Sequence, residues 1–427
     1  MPVFFSRGKL MNTNWLKVSL GYFLAIAIMG TLLRFGFFIG YFPVNSKYLL
    51  HTHSHIAFLG WIYPVLFIAI VNNFLEKKQI IKGNYKLQFI ITQVILGGML
   101  ISFLIQGYGT VSISLSTIFQ FLTYWFAYSF YRDLKDNKYI YSVKFIKTGL
   151  IAMVISTFGT WGLAVIGAKG MGGSPLYELA IYFYLHFQYN GWFTFTILGL
   201  LINLIERNNI TFSKKYAVYS YKLLTFSLFP AYFLSVLGKS YFSLINFTAF
   251  FAGVIQLIGA ICFLAVIFKI RNDLSILFNG AIKQLMSISV ISFLLKNILQ
   301  LFSVLPLLAE LAFNNRYVII AYIHMVFIGF ISFFLFGYLS HLGWYSLNST
   351  IAKTGSVLLV IGFLATEILL ITPTLSILIP ELTFLIFLFS TVMVTGISLF
   401  LFMQLNFIFE REKTGNLQTL KTKVFIK

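Results

Sequence analysis

Apolar segments of about twenty residues follow one another along this chain, each long enough to cross a hydrocarbon layer about 30 Å thick as a helix. No other feature constrains the fold so tightly. The bilayer core holds no water, so every backbone amide and carbonyl there must be paired within the protein, and a helix does this inside one segment. Twelve segments are read, at 18–41, 50–73, 88–108, 111–131, 148–167, 178–204, 217–238, 242–268, 284–307, 317–340, 354–373 and 383–409. Loops between them carry breakers such as "GAKGMGGSP" at 167–175 and "TPTLS" at 372–376. The first apolar run lacks a small-residue cleavage site and reads as a retained span rather than a signal peptide. The expectation is an all-α polytopic membrane protein, one transmembrane domain over residues 1–427, with membrane lipid as its first partner.

Charge sets the orientation. The net charge of +20 invites a nucleic-acid reading, but the basic residues cluster in alternate short loops and form no continuous face. Nucleic acid is therefore excluded as a partner. With the N-terminus inside, 25 of the 31 Lys and Arg fall in the N-terminal tail, the loops after even-numbered spans and the C-terminal tail. Four (Lys47, Lys169, Lys239, Arg316) fall in the opposite loops, and Arg34 and Lys296 lie within spans. This asymmetry predicts that both termini are cytoplasmic. The single cysteine, Cys262, sits in an apolar run and permits no internal disulfide. A small buried apolar side chain is the expected role.

Three of the six histidines, His51, His53 and His55, alternate at the start of the second segment. A membrane helix does not need them to fold. His186 and His324 stand early in the sixth and tenth segments, so these five lie toward the outer side; His341 lies at the inner end of the tenth. Three stretches share a pattern: "HIAFLGW" from His55, "HFQYNGW" from His186 and "HMVFIGF" from His324. Each reads histidine, four residues, glycine (Gly60, Gly191, Gly329), aromatic (Trp61, Trp192, Phe330). The histidines are 131 and 138 residues apart, four segments in each case. The chain thus reads as three units of four helices, arranged as three pseudo-symmetric arcs.

Imidazole is a common ligand of iron and copper, and histidines at one depth on different helices can face one another across a planar haem. The glycine lets a helix or a flat macrocycle approach the backbone, and the aromatic can pack on a ring edge. The plainer alternative is an interfacial polar residue bonded to a carbonyl or water. It wins for His341, is even for His51, and is weak for His55, His186 and His324 together. Residues 51 and 55 share a helix face while 53 points nearly the other way. His55 is favoured as ligand because it is deepest and holds the repeated position. His53 is the runner-up, and His51 suits a propionate or a second metal.

The stretches "GTLLRFGFF" (30–38) and "HTHSHIAFLGWIYPVLFIAI" (51–70) resemble helices I and II of subunit I of the haem–copper oxidases and nitric oxide reductases. That resemblance implies twelve spans in three arcs, a cytoplasmic N-terminus and haems toward the outer side. It implies a bacterial cytoplasmic membrane location, and an electron-donor subunit or quinol as partner. It implies a b-type haem held by His55 and His324, with Arg34 at the haem edge and Trp61, Gly60 and Gly329 around it. The family's copper site needs a histidine on helix VI, which His186 supplies, and a histidine pair on helix VII. The seventh segment, "YAVYSYKLLTFSLFPAYFLSVL", has no histidine, and "YIHMVFIGF" in the tenth has one where the family has two. The resemblance therefore implies haem binding and electron transfer more than reduction of oxygen or nitric oxide; copper at His186 is the altered remnant. A lesser resemblance is to haem- and copper-containing membrane proteins of the nitric oxide response.

Two further features bear on function. Tyr182, His186, Tyr189 and Asn190 make one polar stripe on the sixth segment, which suits either a hydrated, ligand-lined cavity or bonding between helices. Lys296 and Glu367 lie at similar depth, where a charge is costly unless paired or wetted; they can pair with each other, or Glu367 with Arg34. The rival from another class is a transporter or a copper or zinc docking protein that uses the outer histidines.

Overall fold

The computed structural model describes residues 14–42, 44–134, 139–237 and 243–424, with the backbone alone at residues 243 and 407–424. The described residues are 87% helix and include no strand. We number the long helices α1 (Trp15–Ile39), α2 (Ser46–Phe74), α3 (Tyr85–Gln106), α4 (Thr110–Asp133), α5 (Ile140–Ala168) and α6 (175–207). The second half continues with α7 (Lys214–Leu228), α8 (Ser243–Lys269), α9 (Gly280–Phe302), α10 (Arg316–His341), α11 (Thr350–Ile371) and α12 (Leu382–Val424).

Among the described residues, nine of these helices are long and apolar enough to cross a membrane: all except α4, α6 and α7. Their outer faces carry exposed Val94, Ile105, Ile291 and Ile368, a surface that water would not tolerate and lipid covers. The chain is a multi-pass membrane protein. α7 falls short of the expected 217–238 because Pro230 stops it: α7 ends at Leu228, and Pro230–Ser235 turn as a tighter 3-10 helix. Residue 238 lies outside the described residues.

The C-terminal halves of α2, α6 and α10 are buried all round, from Trp61 to Val71, Gly191 to Ile205 and Met325 to Ser340 except Ile328. A helix apolar on every side belongs at the centre of a bundle. Aromatic rings join the three: Phe58 lies 4.4 Å from Phe327 and 6.3 Å from Phe193, and Phe193 lies 6.1 Å from Phe327, centroid to centroid. An indole hydrogen bond from Trp61 Nε1 to Ser332 Oγ, 2.8 Å, ties α2 to α10, and Arg207 donates to Asn73 between α6 and α2.

Each central helix widens into a π-turn at the same place in the repeat. The turns span Ala57–Ile62, Phe187–Phe193 and Met325–Ser332, each starting one or two residues after the repeated histidine. π-turns are rare in helices and gather at functional positions. Pro64 cannot explain all three, since the other two turns have no proline nearby. The shared element is the glycine. A Cβ on Gly60 would stand 3.0 Å from Tyr22 of α1, on Gly191 2.5 Å from Ala152 of α5, and on Gly329 2.7 Å from Ser292 of α9. The neighbour is thus always the helix before, and the helices concerned stand four apart. A hydroxyl three residues past the glycine closes two of the turns: Thr194 Oγ1 donates to Tyr189 O (2.6 Å) and Ser332 Oγ to Phe327 O (2.7 Å).

Candidate functional site

Asn45 caps α2 by accepting from the Lys47 and Tyr48 amides at 3.0 and 3.2 Å. From there the helix is regular to Ile56, so its three histidines are sorted by helical geometry. His53 turns toward α1. Its Nδ1 bonds the carbonyl of Ile26 at 2.9 Å, and its ring lies over Gly30, where a Cβ would come within 2.9 Å of His53 Cε1. Gly30 is therefore glycine so that the imidazole can enter.

One turn further along α1, Arg34 gathers three other helices. Its Nη2 is 3.2 Å from His324 Nδ1 on α10, and its Nη1 donates to Ser390 Oγ on α12 at 2.5 Å. Ser390 in turn donates to Ile386 O at 2.6 Å, which fixes its acceptor lone pairs toward the guanidinium. Glu367 Oε1 on α11 lies 3.9 Å from His324 Nδ1 and has no hydrogen-bond partner among the described residues. His53 is within electrostatic reach of Arg34, and His324 of both. The centre thus draws on α1, α2, α10, α11 and α12. Of the two partners considered for Glu367, Arg34 is the one in electrostatic reach. Ser390 was not singled out in the sequence, since one hydroxyl in an apolar helix carries no pattern.

His55 is elsewhere. Its Nε2 is 2.8 Å from Tyr108 OH, and its ring stacks on Phe103 at 4.4 Å with a 15° tilt. His51 presents its ring to the same tyrosine, 4.5 Å between centroids. These two face α3 and the turn that follows it. The expected pair of His55 with His324 is therefore not formed, and His53 takes its place beside Arg34 and His324. The physical reason is the helix period: two residues are about 200° of rotation, so 53 and 55 cannot serve one face.

His186 is fully satisfied as a neutral imidazole. Its Nε2 donates to Leu228 O at 2.8 Å, and its Nδ1 accepts from Asn190 Nδ2 at 3.1 Å. The Leu228 carbonyl lost its helical partner where Pro230 ends α7, and His186 caps that break. Both nitrogens of the expected metal ligand are thus engaged within the protein. Among the described residues no three His, Cys, Asp or Glu side chains converge as a metal group. His341 bonds Leu277 O at 3.2 Å, the plainer alternative expected for it.

The residues expected around the cofactor pack against protein instead. The space over Gly60 and Gly329 is filled by neighbouring helices, and Trp61 stacks on Phe23 at 4.7 Å. All three serve helix packing. Lys296 is 1% exposed and forms no ion pair among the described residues. Its ammonium lies 5.8 Å from the Phe293 ring and 6.0 Å from Tyr189. The polar stripe of α6 is used mainly between helices and within α6, with His186 on Leu228 and Asn190 and Tyr189 set edge-on to Tyr322 at 6.3 Å.

No family model matches this chain, and no curated protein matches it.

Proposed function

We propose that this is a twelve-span haem-binding membrane protein of the haem–copper oxidase subunit I type, working in electron transfer, in which His53 and His324 would hold the iron. α4, α6 and α7 complete the spans, and both termini are cytoplasmic. The observation that carries the reading is the convergence of His53, Arg34 and His324 from α2, α1 and α10. The four-helix spacing of the three π-turns supports the arc architecture.

The residues fit a haem iron. His53 has its Nδ1 proton fixed on the Ile26 carbonyl, which leaves the Nε2 lone pair free. Arg34 can only donate, so His324 Nδ1 accepts from it and the proton rests on Nε2. Ligation through Nε2 would put that proton on Nδ1 and break the Arg34 bond, which would free Nη2 for a propionate; Glu367 Oε1, 3.9 Å away, is beyond hydrogen-bond distance but sets a carboxylate near the Nδ1 proton. Arg34 supplies the buried cation that an anionic propionate requires. A single cysteine does not supply the two-cysteine attachment of c-type haem, and the resemblance implies a b-type haem. When bound, it supplies one-electron transfer. The residues do not fit the family's copper centre, because His186 bonds within the protein through both nitrogens and the seventh segment has no histidine.

The test is an optical spectrum of protein purified from haem-supplied cells. Wild type should show a low-spin bis-imidazole signal. His53→Ala and His324→Ala should lose it, and His55→Ala should keep it. A colourless wild type, or a signal kept in His53→Ala, overturns the assignment.

A further inference from the structure

His51 and His55 are separated from the Arg34 centre and lie on the opposite face of α2. Both belong to its regular part, before the π-turn opens at Ala57, so they stand one turn apart in one line. Paired imidazoles at this spacing on a helix are a metal-chelating arrangement.

A third donor faces them. Tyr108 lies in the short turn between α3 and α4, between Gly107 and Gly109. Gly107 has φ +58, and a Cβ there would meet the Tyr48 ring of α2 at 2.5 Å. Glycine at 107 thus permits both the left-handed backbone and the close approach to α2. Ser112 holds the turn from the other side, its Oγ donating to Gly107 O at 2.5 Å. Tyr108 is thereby held over the two histidines, its ring 4.5 Å from His51 and 5.5 Å from His55, with its hydroxyl 2.8 Å from His55 Nε2. Phe103 stacks on His55 and fixes that ring plane. Among the described residues, neither nitrogen of His51 has a hydrogen-bond partner. The cluster is open to small solutes: Tyr108 is 53% exposed, and both histidines are partly exposed. Lys47, one turn before His51, is exposed and its flexible chain can turn away.

We propose that His51, His55 and Tyr108 form a surface site for a divalent transition-metal ion, with copper(II) the preferred occupant. Two imidazole nitrogens and a phenol oxygen suit Cu²⁺ or Zn²⁺ and not Mg²⁺ or Ca²⁺, and Cu²⁺ binds such donors most tightly among the divalent first-row ions. Water completes the coordination. The metal takes the lone pair of His55 Nε2, displacing its hydrogen bond with Tyr108. If the phenol binds as phenolate, its proton leaves to solvent. The site is independent of the haem reading, because it uses neither His53 nor His324.

The experiment is titration of full-length protein, purified in detergent without a histidine tag, with Cu²⁺ and separately with Zn²⁺. Copper binding is followed by calorimetry and electron paramagnetic resonance. One equivalent of Cu²⁺ with nitrogen superhyperfine coupling is expected. His51→Ala and His55→Ala should each weaken binding about tenfold or more, and Tyr108→Phe should shift the ligand-field spectrum. His341→Ala, at the C-terminal end of α10 and outside both sites, should bind copper as wild type does. Thermal unfolding of each variant checks that it folds. Absence of copper binding in folded wild type, or equal affinity in His51→Ala and wild type, overturns the proposal, whatever the haem spectrum shows.

Discussion

His53 and His55 differ by two positions and by most of a half-turn, and that rotation decides their chemistry. His53 is fixed by the Ile26 carbonyl and shares the Arg34 centre. His55 is fixed by Tyr108. Lys296 is the opposite case, a buried cation without an ion-pair partner among the described residues. Its desolvation is offset only by the Phe293 and Tyr189 rings, at 5.8 and 6.0 Å, so an apolar side chain of similar shape should be better tolerated. Lys296→Met is expected to stabilise the protein by about 1–4 kcal/mol, read as a higher midpoint of thermal unfolding in detergent. A lower midpoint would show that the ammonium holds something the fold needs.

At the scale of elements, the π-turns depend on close helix pairs. Gly191 and Ala152 meet so tightly that a methyl on the first would stand 2.5 Å from the methyl of the second. Gly191→Ala alone should destabilise by about 1–3 kcal/mol through overpacking. Gly191→Ala with Ala152→Gly returns the volume and should recover most of the loss. The double-mutant cycle should then show a coupling of about 0.5–3 kcal/mol, and simple additivity would show that the contact does not carry the pair. α11 and α12 use the same device without a histidine: a Cβ on Gly355 would come 2.7 Å from Gly396 O.

For the whole molecule, the basic residues predict which loops stay inside. In a Cys262→Ser background, Gly172→Cys lies in the exposed turn between α5 and α6, and Thr211→Cys in the loop between α6 and α7. A membrane-impermeant maleimide added to intact cells should label the first and spare the second; the reverse pattern would invert the topology. The central aromatics Phe58, Phe193 and Phe327 pack together in the middle of the bundle.

The all-helical, multi-pass character was legible in the sequence, because apolar segments of bilayer length have few other ways to satisfy their backbones. So was the equivalence of the three His–Gly positions, since a repeated spacing survives without knowledge of packing. What the sequence left open was which side of a helix meets what. It favoured His55 by depth, and read Gly60, Gly329 and Trp61 as surroundings of a cofactor. Tertiary structure decided otherwise: α1 approaches α2 at Gly30 and Gly60, admits His53 and leaves His51 and His55 to Tyr108. It also engaged both nitrogens of His186, one of them through a carbonyl released by a proline 44 residues away in the chain. Periodicity is a property of one helix and can be read from one segment, whereas partners depend on how neighbouring helices are rotated about their axes, and only packing sets that.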